Sequence, residues 1–100
     1  MLNASDIKTI VEPIVSNTKV EKIVLFGSYA SGAASENSDI DLCMFSNGTL
    51  TGLAFYELKS KIEKAFDLNV DLLPDLDIIP NSPIEKQIKN HGVVIYERQG

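Results

Sequence analysis

The 100-residue sequence has no tryptophan, one histidine, one cysteine and a single arginine, Arg98. Each scarcity excludes something. A lone Cys43 rules out an intrachain disulfide and suits a reducing compartment, so a cytoplasmic setting is expected. With one cysteine and one histidine, no Cys/His spacing suggests zinc. No apolar run approaches the ~20 residues of a membrane-crossing helix; the stretch Ile23-Val24-Leu25-Phe26 is typical of the longest. The N-terminus lacks the basic patch and apolar stretch of a signal peptide, and no membrane partner is expected. Positive charge is also short: 9 basic residues face 14 acidic ones, for a net charge of −5. Duplex binders carry a basic stripe that displaces counterions. Nothing here does so, which disfavours a long nucleic acid as ligand. A small anion carried in with a metal stays open.

What is present is an ordinary globular composition, 44% hydrophobic and 23% charged, with no linker, repeat or low-complexity tract. Residues 1–100 read as one domain. Apolar spacing predicts a helix from about Ser5 to Asn17, capped by Ser5 and kinked or split by Pro13. A buried strand follows at Lys22–Phe26, then a short helical turn around Tyr29–Ala34 and a strand at Asp39–Phe45. Asn47-Gly48 marks a turn. A second helix is expected over Leu50–Phe66, burying Leu50, Leu53, Ala54, Leu58, Ile62, Ala65 and Phe66. A strand at Leu68–Leu73 and a loop over Asp75–Asn81 come next. Ser82-Pro83-Ile84-Glu85 starts a helix with a serine cap, an N1 proline and a capping-box glutamate. Gly92 ends that helix, and Val93–Tyr96 is a last strand. Such alternation means a sheet with helices packed on it.

The chemistry concentrates in Gly27-Ser28-Tyr29-Ala30-Ser31-Gly32 and Ser38-Asp39-Ile40-Asp41-Leu42. On a strand, residues two apart share a face, so Asp39 and Asp41 project together while Ile40, Leu42 and Met44 supply the core. Two adjacent carboxylates repel unless one is protonated or a cation lies between them. The pair suits a hard divalent ion such as Mg²⁺. Asp71 interrupts the apolar Val70-Asp71-Leu72, where a charge needs a partner. With its strand beside that of Asp39 and Asp41, the three acids would form one cluster spanning one or two ions. A glycine-serine loop opening into a helix offers backbone N–H groups to phosphate oxygens, and the Ser28 hydroxyl adds a donor. Taken singly, the loop is an ordinary turn, the Asp pair a solvated strand face and Asp71 an edge residue facing water. Their order along the chain favours a joint site.

Other motifs fail. Gly27 to Gly32 has the glycine spacing of a P-loop, but Ala33-Ala34 replaces its Lys and Ser/Thr. Asp39-x-Asp41 cannot open a calcium loop, since Met44 stands at its glycine position and Leu50 at its glutamate. No Gly-x-Ser-x-Gly elbow is present. Cys43 reads as a buried structural thiol and His91 as a helix C-terminal cation.

Leu25-Phe26-Gly27-Ser28-Tyr29-Ala30, followed by Ser38-Asp39-Ile40-Asp41-Leu42, resembles the signature of the DNA polymerase beta-like nucleotidyltransferases. The fuller string is similar to that of the minimal nucleotidyltransferases. Asp71 falls where that family carries its third carboxylate, and Ile95-Tyr96-Glu97 matches how its short chains end. The resemblance implies an α/β (α+β) domain built on a small mixed β-sheet. It further implies an enzyme moving AMP from ATP to a hydroxyl, such as a tyrosine, of a protein. Asp39, Asp41 and Asp71 would be catalytic and bind one or two Mg²⁺ ions, and Gly27, Ser28 and Ser38 would contact the nucleotide. It implies an antitoxin role beside a HEPN-type helical toxin, hence a hetero-oligomer. One departure is Ser31, where the family usually has arginine. That keeps open a second reading, a binding-only antitoxin or regulatory module of weak or no activity.

Overall fold

The computed structural model describes residues 2–99. The chain runs α1 (Ala4–Val15), β1 (Lys22–Phe26), α2 (Ser28–Ser31), β2 (Ile40–Phe45), α3 (Gly52–Lys64), β3 (Val70–Pro74), a 3₁₀ turn (Asp75–Asp77), α4 (Pro83–His91) and β4 (Val93–Glu97). Four strands form one mixed sheet in the order β3-β2-β1-β4. β1 pairs antiparallel with both β2 and β4, and β2 pairs parallel with β3. Pro74 closes β3, an edge strand, where a missing N–H costs no ladder bond. Among the described residues no helix is long and apolar enough to cross a membrane.

The alternation of β2 divides the molecule. Ile40, Leu42 and Met44 join Ile23, Leu25, Val70, Leu72 and Ile95 in the main core. α1 covers it through Ile7, Val11 and Val15, and α3 through Phe55, Leu58 and Ile62. On the reverse face a smaller cluster of Val24, Phe26 and Cys43 lies under Ile88 of α4. Gly92 is needed for that docking: a Cβ there would run into the Ile88 carbonyl oxygen and Val24.

Several local expectations change. α1 is capped by Asn3, whose Oδ1 accepts from the Asp6 N–H at 2.9 Å while Asp6 Oδ2 accepts from the Asn3 N–H at 3.0 Å. This reciprocal box outcompetes Ser5. Pro13 does not split α1, because its missing bond falls on the solvent side, where Thr9 and Pro13 are both exposed and water can serve the Thr9 carbonyl. Ser82 caps α4, accepting from the Glu85 N–H at 3.2 Å, but Glu85 Oε1 accepts from the N–H of Asn81, at 3.0 Å. On α3 the core face is Phe55, Leu58 and Ile62, flanked by Leu50 and Phe66. Leu53, expected in the core, is 81% exposed, and Ala54 and Ala65 are exposed as well. Leu50 is buried from the loop preceding the helix, so it does not set the helical phase.

This phase predicts opposite outcomes for two neighbouring residues. Phe55→Ala should lower unfolding free energy by about 3–5 kcal/mol, the usual cost of deleting a buried phenylalanine. Leu53→Ala should change it by no more than about 0.5 kcal/mol. Urea denaturation of both variants checks this; a larger loss at Leu53 would place the helix in the other phase.

Candidate active site

The site is assembled by strand register. Phe26 pairs with Asp41 across β1 and β2, and Asp41 pairs with Asp71 across β2 and β3. Paired residues of neighbouring strands project to one face, so Phe26, Asp41 and Asp71 form a row at one end of the reverse face. Asp71 therefore lies on the strand beside Asp41 and on its side of the sheet. The next row on that face contains Val24, Cys43 and Leu73, and it is apolar. Asp39 sits one residue before β2 and is exposed, as is Asp71, whereas Asp41 is half-buried.

The burial gradient is reflected in ionisation. Partial burial pushes the Asp41 carboxyl above its ordinary 3.8, and the negative charges of Asp71 and then Asp39 push it the same way. Asp41 thus feels both other acids. Among the described residues no group of three acidic, histidine or cysteine side chains stands at the spacing of a ready metal cluster. Asp39 and Asp71 are both exposed and so open to hydration, and without a cation the three like charges repel. Cys43 is fully buried, with its thiol pushed up to about 12 by burial and by the Asp75 charge. It is a packing residue and no ligand at neutral pH.

Gly27 links loop and acids. Its φ of 74° and ψ of −152° lie in a region essentially confined to glycine. A Cβ would also collide with Asp41 Oδ2 and lie 3.2 Å from Asp41 Cγ. The constraint on Gly27 is thus internal: it leaves room for Asp41. The sequence offered no direct sign of this contact, since it depends on the β1–β2 register. Gly27 accepts from the N–H groups of Ala30 (3.2 Å) and Ser31 (3.1 Å), which closes the single turn of α2. The N–H groups at the front of such a turn have no intrahelical acceptor. Tyr29, which the sequence reading left without a role, is buried in the main core and anchors this turn. Its being the one large side chain in a run of small residues was the available signal. Ser31 is exposed and its hydroxyl donates to the Ser28 carbonyl at 3.2 Å. Ser38 accepts from the Ser35 N–H at 2.9 Å, so its hydroxyl already braces the turn that leads into Asp39.

Comparison with known proteins places the fold and sequence among described relatives. Residues 8–100 match the profile of the family described as polymerase beta, nucleotidyltransferase. A protein adenylyltransferase MntA from Shewanella oneidensis is 44% identical over 55 residues, 55% of this chain and 40% of that protein; the match thus spans less than half of the relative's length. A crystal structure of a toxin–antitoxin with AMP-PNP contains a chain that superposes with a TM-score of 0.70 at 31% identity, over 98% of this chain and 76% of that one. A structure of the tri-AMPylated Shewanella oneidensis HEPN toxin in complex with MNT antitoxin matches with a TM-score of 0.67 at 25% identity, over 96% and 74% of the two chains.

Two substitutions probe the row of acids in metal-free buffer. Asp41→Asn should raise the melting temperature near pH 7. A carboxyl whose pKa is raised on folding stabilises fully below its unfolded value, and that contribution is lost as pH rises through the folded value. The gain should therefore fade as pH falls toward 3.8, the ordinary value of the group. Gly27→Ala should cost about 1–3 kcal/mol from backbone strain, in addition to the clash. Thermal melts at several pH values test both; an Asp41→Asn protein less stable than wild type at pH 7 would contradict the repulsion.

Proposed function

Because the chain belongs to the polymerase beta-type nucleotidyltransferase family, we propose that it moves AMP from ATP to a tyrosine hydroxyl of a HEPN-type helical partner and so acts as an antitoxin. The observation that carries this reading is the register-locked row of Asp41 and Asp71 beside the Gly27–Ser28 turn. A relative named as a protein adenylyltransferase, a neighbour containing AMP-PNP and a neighbour containing an AMPylated HEPN toxin support it.

The donor set fits a hard divalent cation. It offers carboxylate oxygens alone, and Asp41 carries repulsion from both neighbours that a bound cation would offset. Asp39, Asp41 and Asp71 would hold Mg²⁺, which when bound supplies charge neutralisation on the triphosphate and acidifies an acceptor hydroxyl. The chain's own residues do the rest. Ser28 donates to phosphate oxygens from its hydroxyl, and the free N–H groups at the front of α2 do the same. Ser38 fixes the approach to Asp39 and stands as a further nucleotide contact. Asp71, on the exposed edge strand, takes the proton of the incoming hydroxyl. The hydroxyl oxygen bonds to the α-phosphorus as the bond to pyrophosphate breaks. The open edge at β3 leaves the acceptor room to approach from outside the fold.

Incubation with α-labelled ATP, Mg²⁺ and a HEPN-type candidate partner protein should attach AMP to a partner tyrosine, read by mass spectrometry. Asp71→Asn should abolish the modification while nucleotide binding persists. Ser28→Ala should weaken MgATP binding by about 1.5–3 kcal/mol, the worth of one hydrogen bond to a charged group. An unmodified partner that wild type and Asp71→Asn neutralise equally would establish the binding-only reading instead.

A further inference from the structure

At the end of the sheet away from Asp41 and Asp71, the chain leaves a second feature unexplained. The pairing of β2 with β3 ends at Met44 and Pro74. Beyond them a cavity of about 180 Å³ opens between the start of α3 and the 3₁₀ turn. Its apolar walls include Phe55, Tyr56 and Leu76; Ser46, Thr51, Asp75 and Asp77 are its polar lining, and the two aspartates are its only charged residues. Tyr56 is 63% exposed and Leu76 64%. Leu53 lies one turn before Tyr56 on α3, so the two share the outward side of the helix. Tyr56 and Leu76 line the groove and Leu53 stands beside it on the same helix side, more exposed apolar surface in one place than scattered residues require.

The carboxylates define what the groove accepts. Asp75 Oδ1 is buried with no hydrogen-bond donor. A carboxylate that has lost water at one oxygen without gaining a donor is costly, and a cation at its other oxygen offsets that cost. Apolar walls whose only charged lining residues are acidic are complementary to a helix carrying apolar side chains beside an arginine or lysine. We propose that this groove is a docking site for such a basic amphipathic helix of a partner protein, separate from the nucleotide site. The proposal rests on the reading that the chain works with a protein partner. It adds that the partner is held at the far end of the sheet, leaving the acids at the near end clear for chemistry.

The test is an NMR titration of the full chain, without nucleotide or metal. The probe is a synthetic alanine-rich helical peptide with leucines at i, i+3, i+4 and i+7 and one arginine on the same face; a control peptide carries glutamate in its place. The arginine peptide should shift the methyl signals of Leu53 and Leu76 and the ring signals of Tyr56. The glutamate peptide should bind about tenfold more weakly or worse. Asp75→Asn combined with Asp77→Asn should erase that difference. Leu53→Ser with Tyr56→Ser, both at exposed positions, should abolish the shifts and leave the fold intact. Equal affinity for the two peptides, shifts centred elsewhere, or no shift at millimolar peptide would overturn the proposal. A free chain that sediments as a dimer, and becomes a monomer on Leu53→Ser with Tyr56→Ser, would also overturn it by making a second copy the occupant. Docking without AMP transfer strikes the transferase reading alone, and transfer without docking strikes this one alone.

Discussion

The register of β2 against its two neighbours is the constraint on which the site depends. Ile40, Leu42 and Met44 are fully buried, and a one-residue slip would exchange them for Asp41, Cys43 and Phe45. The hydrophobic core therefore holds the strand in the one alignment that sets Asp41 against Asp71 and behind Gly27. The geometry of the candidate site is here a by-product of side-chain packing on the opposite face. The site needs little structure of its own because the alternation of a single strand supplies both halves.

The same alternation gives the reverse face a gradient. Acids occupy one end, Val24, Cys43 and Leu73 the middle, and Lys22 over the Phe45 ring, at 4.7 Å from its centre, the other end. α4 covers the middle and leaves the acid end open. The short helix is placed by Ile88 above and by the absence of a side chain at Gly92. A larger residue there would lift the helix away from Val24.

Much of this was legible in the sequence. The element order and the burial of Cys43 follow from apolar periodicity and from a lone thiol among apolar neighbours, whereas the pairing of Asp41 with Asp71 needed the strand order. What was not legible depended on tertiary context. The phase of α3 was misread because Leu50, buried from a loop, looked like part of the helical stripe and drew Leu53 in with it. The α1 cap went to Asn3 because a reciprocal pair outweighs one serine, which single-residue preference does not weigh. Gly27 could be read as a loop glycine, but its contact with Asp41 required the pairing of β1 with β2.

The pairing of β1 with β4 has a consequence for how the domain is made. β1 is a central strand, yet one of its two partners comes from the far end of the described chain: Lys22 aligns with Glu97. During synthesis β1, β2 and β3 emerge first and can already form the half of the sheet that bears the acids. Until β4 follows, β1 presents a row of unsatisfied N–H and C=O groups along an apolar strand, the kind of edge that recruits foreign chains. The last strand thus acts as a built-in guard of the first. The window between translation of Phe26 and translation of Glu97 is when the nascent chain is most exposed to misassociation.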